Sequence, residues 1–273
     1  MRRCRFFLII TTFVGLLIGS LINFTSAATS ALPATGDMRL TILFDNTAFD
    51  EQLKADWGFA ALVEYGGHTL LFDTGASGNI LLDNMRQLGV KPQSIEAIIL
   101  SHEHYDHTGG LQALLDTGIR PTIYAPSAFS TTFKKHVRAQ TKLIEVTDAL
   151  TILPGIYLTR PIGPIVEQAL VVKTRDGIVI ITGCAHPGIV NMVRQVQEIV
   201  PGKVSLLAGG FHLLEIADMK TLKSIIAELR QLGVERVVPT HCTGSSAIDM
   251  FRAEFGKNCL DGGVGRTIVF SAK

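Results

Sequence analysis

Hydrophobic positions follow two rhythms along this chain, and the rhythms exchange places twice. Near the amino end of the patterned region, Arg39–Phe44, Phe59–Tyr65 and His68–Phe72 are short runs rich in branched and aromatic residues, as strands are. Gly66-Gly67 joins the last two as a two-residue hairpin signal. Helical and strand-like spacing then alternate: Ile80–Leu88 reads as helix, Ala97–Leu100 as a short buried strand, Gly110–Leu115 as helix and Thr122–Tyr124 as strand. A second β-rich stretch follows at Leu143–Val146, Ile156–Thr159, Ala169–Thr174 and Ile178–Thr182, with Asp176-Gly177 as the turn between the last two. Alternation resumes after it. Pro187 suits the first turn of a helix carrying Val190, Val193 and Val196, and Asp218 can cap a helix whose Leu222, Ile225, Ile226 and Leu229 share one face. Val204–Leu207, Val234–Val238 and Thr267–Phe270 complete the strands. This order predicts an α/β chain of two similar halves, its two sheets facing each other and its helices on both outer faces.

The first residues obey neither rhythm. Arg2, Arg3 and Arg5 precede an apolar run from Phe6 to Ile22, and small residues follow at Ser26, Ala27 and Ala28, which is the layout of a secretory signal peptide. The run is slightly shorter than the roughly 20 residues that span a bilayer comfortably, so cleavage near Ala27 or Ala28 is favoured over a retained anchor. The expected division is residues 1–28 as signal peptide, 29–37 as linker and 38–273 as one catalytic domain, exported to a periplasm or secreted. Cys4 lies before the apolar run, which argues against a lipoprotein.

Composition changes the picture only at the margins. A formal net charge of +1 in 273 residues supplies no field that would gather nucleic acid or an anionic membrane. The expected partner is a small-molecule substrate, with membrane contact only through the signal peptide or an uncleaved anchor; oligomeric state is left open. Cleavage would leave Cys184, Cys242 and Cys259, an odd number where disulfides form. Cys184 and Cys242 each lie within two residues of a histidine, so a disulfide with one spare thiol and chemistry at a site both stay open.

The chemistry concentrates after the buried strand Ala97–Leu100. His102, His104, Asp106 and His107 place four ligand-type side chains within six residues, and imidazole and carboxylate suit zinc and similar divalent ions. A loop at a strand end can turn His102 and His104 toward one point and Asp106 and His107 toward a second. Further ligands must come from elsewhere. Cys184 and His186 follow one predicted strand, His212 another and His241 a third, each beside glycine or proline.

The run His102, His104, Asp106, His107 resembles the His-x-His-x-Asp-His signature of the metallo-β-lactamase superfamily, and Leu70–Gly75 resembles that superfamily's earlier Asp motif. More narrowly, His102–Gly110, Thr182–Asn191, Gly209–Leu213 and Pro239–Gly244 are similar to the branch of 7,8-dihydropterin-6-methyl-4-(β-D-ribofuranosyl)aminobenzene-5'-phosphate synthases. The resemblance implies an αββα sandwich with two divalent metal ions at the sheet edges, zinc first, with iron or manganese as alternatives. His102 and His104 would hold the first metal, Asp106 and His107 the second, and His186 and His241 would complete the set. Cys184 stands where the superfamily commonly has a bridging Asp, and is either a thiolate ligand or a neighbour of His186. Asp73 would accept the far N–H of a ligand histidine. His136, in a predicted helix with Phe133 and Val137, reads as a surface residue rather than a ligand.

The expected function is that of an exported dinuclear metal-dependent hydrolase acting on a carbonyl or phosphoryl centre, with Asp106 orienting water and His212 binding or protonating a substrate oxygen. Alternatives are a transferase of the pterin-linked synthase type and a non-catalytic metal-binding protein. Phe72–Ser77 would also fit the loop of an aspartic protease, but that chemistry needs two carboxylates sharing a proton and would leave the histidine cluster unexplained.

Overall fold

The computed structural model describes residues 37–270 apart from 215 and 217, so the expected signal peptide and the linker through residue 36 lie outside the described residues. Chain order begins with β1 (Met38–Phe44), β2 (Ala60–Tyr65) and β3 (His68–Phe72), then α1 (Gly78–Gln87), β4 (Ala97–Ile99), α2 (Tyr105–Thr108), α3 (Leu111–Asp116), β5 (Thr122–Pro126), α4 (Thr131–Arg138) and β6 (Leu143–Val146). The second half runs β7 (Leu150–Leu153), β8 (Ile156–Leu158), β9 (Leu170–Thr174), β10 (Gly177–Thr182), α5 (Ile189–Ile199), β11 (Val204–Gly210), α6 (Met219–Gln231), β12 (Val237–Thr240) and α7 (Ser245–Phe255). Finally β13 (Thr267–Phe270) returns to the first half. One sheet has the order β13-β1-β2-β3-β4-β5-β6 and the other β12-β11-β10-β9-β8-β7. Both are mixed, as β3, β4, β5 and β6 run parallel while β1, β2 and β3 alternate, and β10, β11 and β12 are parallel while β7 to β10 alternate.

Alternation of side chains along the strands sorts the core into three layers. In β3, Leu70 and Phe72 point between the sheets while Leu71 joins Leu81 and Met85 of α1 and Leu114 of α3 outside. In β10, Val179 and Ile181 face the other sheet while Ile178 and Ile180 meet Val193 of α5, Ile226 of α6 and Phe251 of α7. The result is helix, sheet, sheet, helix, each sheet apolar on both faces.

Local chemistry explains where several elements begin. Gly66 and Gly67 have φ of 60° and 85° in the β2–β3 hairpin, the doubly left-handed turn that glycine allows. Asp218 caps α6 by accepting from the Lys220 and Thr221 backbone N–H groups, each at 3.1 Å. Three expectations shift. The β9–β10 turn is Arg175-Asp176, because Gly177 already pairs with Thr174. Helix α5 starts at Ile189 with Gly188 as its cap (φ 94°), leaving Pro187 outside. Strand β12 starts at Val237, since Val234 makes only an isolated bridge to Val204. Among the described residues no helix is long and apolar enough to cross a membrane.

Strands β1, β3, β4, β10, β11 and β12 all end at one edge, and β9, antiparallel to β10, begins there. The loops after these ends carry every residue singled out as a candidate ligand, in the place where ligands bind in sheets of this kind.

Candidate metal centre

Asp73 follows β3 and is fully buried. Its Oδ1 accepts from the Ser101 N–H and its Oδ2 from the Ser101 hydroxyl, both at 2.7 Å, and Oδ2 also lies 2.7 Å from His107 Nδ1. Ser101 Oγ in turn lies 2.9 Å from His102 Nδ1. One carboxylate thus orients two imidazoles, one directly and one through a serine, and leaves Nε2 of each turned inward. The fit depends on Gly183, where a Cβ would come 2.2 Å from Ser101 Oγ.

His241 is held in the same way from β1. Its Nδ1 lies 3.0 Å from Asn46 Oδ1 and its backbone N–H donates to Asp45 Oδ1 at 3.1 Å. Asp45 Oδ2 also accepts from the Thr240 hydroxyl. His241 Nε2 is buried and makes no hydrogen bond, although Asp106 Oδ2 lies 3.3 Å away.

The third support is Glu167, fully buried three residues before β9. Its Oε1 accepts from the backbone N–H groups of Gly183, Cys184 and Ala185 at 3.1, 3.0 and 2.9 Å, and its Oε2 from that of His186 at 2.9 Å. A single carboxylate therefore shapes the loop that presents Cys184 and His186. Burial outweighs those donors and pushes its carboxyl up to about 7.

These supports bring the inward atoms together. Asp106, His107, Cys184 and His241 form one group whose ligand atoms lie within 4.8 Å of one another; His102, Cys184 and His186 form a second; Cys184, His212 and Cys242 form a third. His104 joins the second, its Nδ1 being 3.1 Å from His102 Nε2, which is itself 3.3 Å from His186 Nε2. His107 Nε2 lies 3.2 Å from Cys184 Sγ, so this sulfur is common to all three groups. His212 is exposed, with its ring centroid 4.2 Å from that of His186. His136 is on the surface of α4, 2.6 Å from Gln112 Oε1 and away from the cluster. All three described cysteines are free thiols.

Electrostatics disfavour protons on His102, His186 and Asp106 but favour one on His107. Burial and the neighbouring His107 and His186 hold the His102 imidazole far below its ordinary range, and burial with the nearby His212 brings His186 down to about 4. Burial alone would raise the Asp106 carboxyl, but the His241 and His107 rings beside it bring it well below the usual carboxylate range. Burial works against a proton on His107 too, yet Asp73 more than compensates and its pKa is raised. Backbone strain is concentrated here as well: among the described residues, the non-glycine positions with left-handed φ are Asp73 (56°), Ala185 (59°), His212 (52°) and His241 (51°).

Sequence reasoning named Asp73 and every ligand-type residue of the first two groups but missed Glu167, Asp45 and Asn46. Asp45 and Asn46 follow a strand end as Asp73 does, which is the signal that could have found them. Glu167 has no motif around it.

The family model described as the metallo-beta-lactamase superfamily matches residues 57–241. The chain is 29% identical to the 7,8-dihydropterin-6-methyl-4-(beta-D-ribofuranosyl)-aminobenzene-5'-phosphate synthase of Methanocaldococcus jannaschii, covering 79% of this chain and 90% of that one. Among solved structures, a metal-dependent hydrolase of the beta-lactamase superfamily, Tm1679, superposes with a TM-score of 0.72 at 28% identity, over 86% of this chain and 100% of the other. The short form of human tRNase Z superposes with a TM-score of 0.57 at 18% identity, over 84% and 98%, and shares the fold alone.

Proposed function

Given that the chain belongs to the metallo-beta-lactamase superfamily, we propose that it is a hydrolase whose centre holds two divalent metal ions, zinc first among the candidates. One observation carries the reading. His102, His107 and His241 each have Nδ1 engaged by a neighbour, so their Nε2 atoms converge with Asp106 and Cys184, and the buried His241 Nε2 has no protein hydrogen bond. Buried imidazole nitrogens left without a hydrogen-bond partner suit a cation. His102, His104 and His186 would hold one ion, and Asp106, His107 and His241 the other, with Cys184 between them.

Divalent ions bound there supply Lewis acidity and make a coordinated water acidic enough to react near neutral pH. The chain's own groups do the rest. Asp106, kept ionised and only half-buried, orients the attacking water by accepting a hydrogen bond from it. Exposed His212, beside His186, binds or protonates the substrate oxygen. The mouth accommodates a small molecule: a cavity of about 400 Å³ adjoins His241 and Trp57, and one of about 310 Å³ adjoins His186 and His212. The substrate class is a carbonyl or phosphoryl compound. We place the enzyme outside the cytoplasm on the strength of the Arg2–Ala28 pattern, to be checked by determining the amino-terminal residue of the protein recovered from its host.

The test is metal content together with turnover of phosphodiester, lactone and β-lactam substrates before and after chelation. About two bound equivalents and chelator-sensitive hydrolysis are expected; folded protein that takes up no divalent ion refutes the proposal. The relationship to the M. jannaschii synthase over 90% of its length favours one second reading, a pterin-linked transferase, which the same protein would reveal by joining such substrates without hydrolysing the panel.

A further inference from the structure

Cys242 belongs to neither histidine-rich group, yet it is buried beside them. Its Sγ, the Cys184 Sγ and a His212 ring nitrogen all lie within 4.8 Å of one another. The approach is possible only because β11 ends in glycine: a Cβ on Gly210 would come 2.7 Å from Cys242 Sγ and 2.4 Å from the Gly183 carbonyl oxygen. Cys242 Sγ also lies 3.6 Å from the Cys184 carbonyl oxygen, so the thiol is turned toward its partner. His212, held in the left-handed region at φ 52°, closes the triangle from the solvent side. The donor set differs in kind from its neighbours, with two sulfurs and one imidazole against sets dominated by imidazole and carboxylate.

We propose that Cys184, Cys242 and His212 form a further site, sharing Cys184 with the candidate centre, for one thiophilic divalent cation, and that occupying it inhibits the hydrolase. Two thiolates and an imidazole select soft or borderline ions over hard ones. Three protein ligands on three loops gather one ion at ordinary metal–sulfur and metal–nitrogen distances after small side-chain rotations, with a fourth position open on the exposed His212 side. Each thiol that binds gives up its proton to solvent, so uptake releases protons. Inhibition follows from the shared residues: the ion takes His212 away from the substrate oxygen and competes for the sulfur lying between the other two groups. The inhibitory part rests on the hydrolase reading; the binding part does not.

Cadmium is the probe. The reduced full chain, stripped of metal, is titrated with Cd2+ while bound equivalents and ultraviolet thiolate-to-cadmium absorption are followed for wild type, Cys242→Ser and His212→Ala. Wild type should bind one equivalent more than Cys242→Ser, whose sulfur band should drop by about half as two thiolates become one. His212→Ala, altered at an exposed position, should keep the band but bind that equivalent at least about tenfold more weakly. Identical bands and stoichiometry in wild type and Cys242→Ser would overturn the site, as would a Cys184–Cys242 disulfide found by peptide mass mapping to persist in the reduced protein. Failure of the hydrolase reading looks different: the extra equivalent would still be lost and the sulfur band still about halved in Cys242→Ser, while no preparation hydrolyses the substrate panel.

Discussion

Removing the Glu167 carboxylate tests whether the candidate centre is held by its buried supports rather than by its ligands alone. Four backbone N–H groups end on this side chain, three on Oε1 and one on Oε2, in a setting closed to solvent. A buried donor that loses its acceptor costs about 1–3 kcal/mol, so Glu167→Ala should cost at least about 4 kcal/mol even if relaxation holds each loss at the low end. Glu167→Gln separates the contributions. With its carbonyl oxygen in the Oε1 position it keeps three of the four bonds, but its amide then faces the His186 N–H donor to donor, for a net loss of about 1–3 kcal/mol. For a domain of this size each kcal/mol lowers Tm by about 2–4 °C, so the expected falls are a few degrees for glutamine and about 10 °C or more for alanine. Thermal melts and urea unfolding of the metal-free protein, followed by circular dichroism, measure the Tm falls and the free-energy losses. Because the loop presents Cys184 and His186, zinc affinity should also drop about 10- to 100-fold in the glutamine variant. An alanine variant within about 0.5 kcal/mol of wild type with unaltered zinc affinity would show that the loop does not depend on Glu167.

Other consequences follow from the same geometry. The His107 pKa is raised by Asp73 against the effect of burial, so their pairing adds stability to the metal-free protein that is complete below the ordinary imidazole value of 6.5 and is lost as pH rises through the raised value. Asp73→Asn should therefore lose more stability at about pH 5.5, on the order of 3–5 kcal/mol for a broken buried pair, than at about pH 9; equal losses in urea titrations at the two pH values would contradict the pairing. Asp106→Asn should lower turnover by about 10²–10⁴-fold, and unchanged steady-state rates with intact metal content would remove Asp106 from the mechanism. Asp218→Ala, distant in role from the centre, should lower Tm by taking away the α6 cap, with turnover unaltered.

What could be read from the sequence, and what could not, divides along the range of the interactions. Strands β3 and β6 and the β2–β3 turn are covered by local rules, since alternation and the Gly66-Gly67 pair operate within a few residues. Helix α7 went unread because Ser245–Phe255 follows a glycine that offers no side-chain cap, and its buried face is the sparse set Ala247, Phe251 and Phe255. The β9–β10 turn slipped by one residue because an Asp-Gly pair signals a turn equally well whether glycine sits in the turn or, as here, opens the next strand. At the centre, His102, His104, Asp106 and His107 are legible because one loop carries four ligand types, and loops after parallel strands must share an edge. Glu167 is not legible, because its role exists only across the β9–β10 pairing: the antiparallel register sets the start of β9 against the end of β10, and there four N–H groups turn inward with no carbonyl to receive them. A buried carboxylate is the acceptor that can serve them all, and a single glutamate before an apolar run gives no hint of that task. Ligands announce themselves by residue type; the groups that aim them are defined by backbone left unpaired elsewhere, and for such groups the sheet register must be known first.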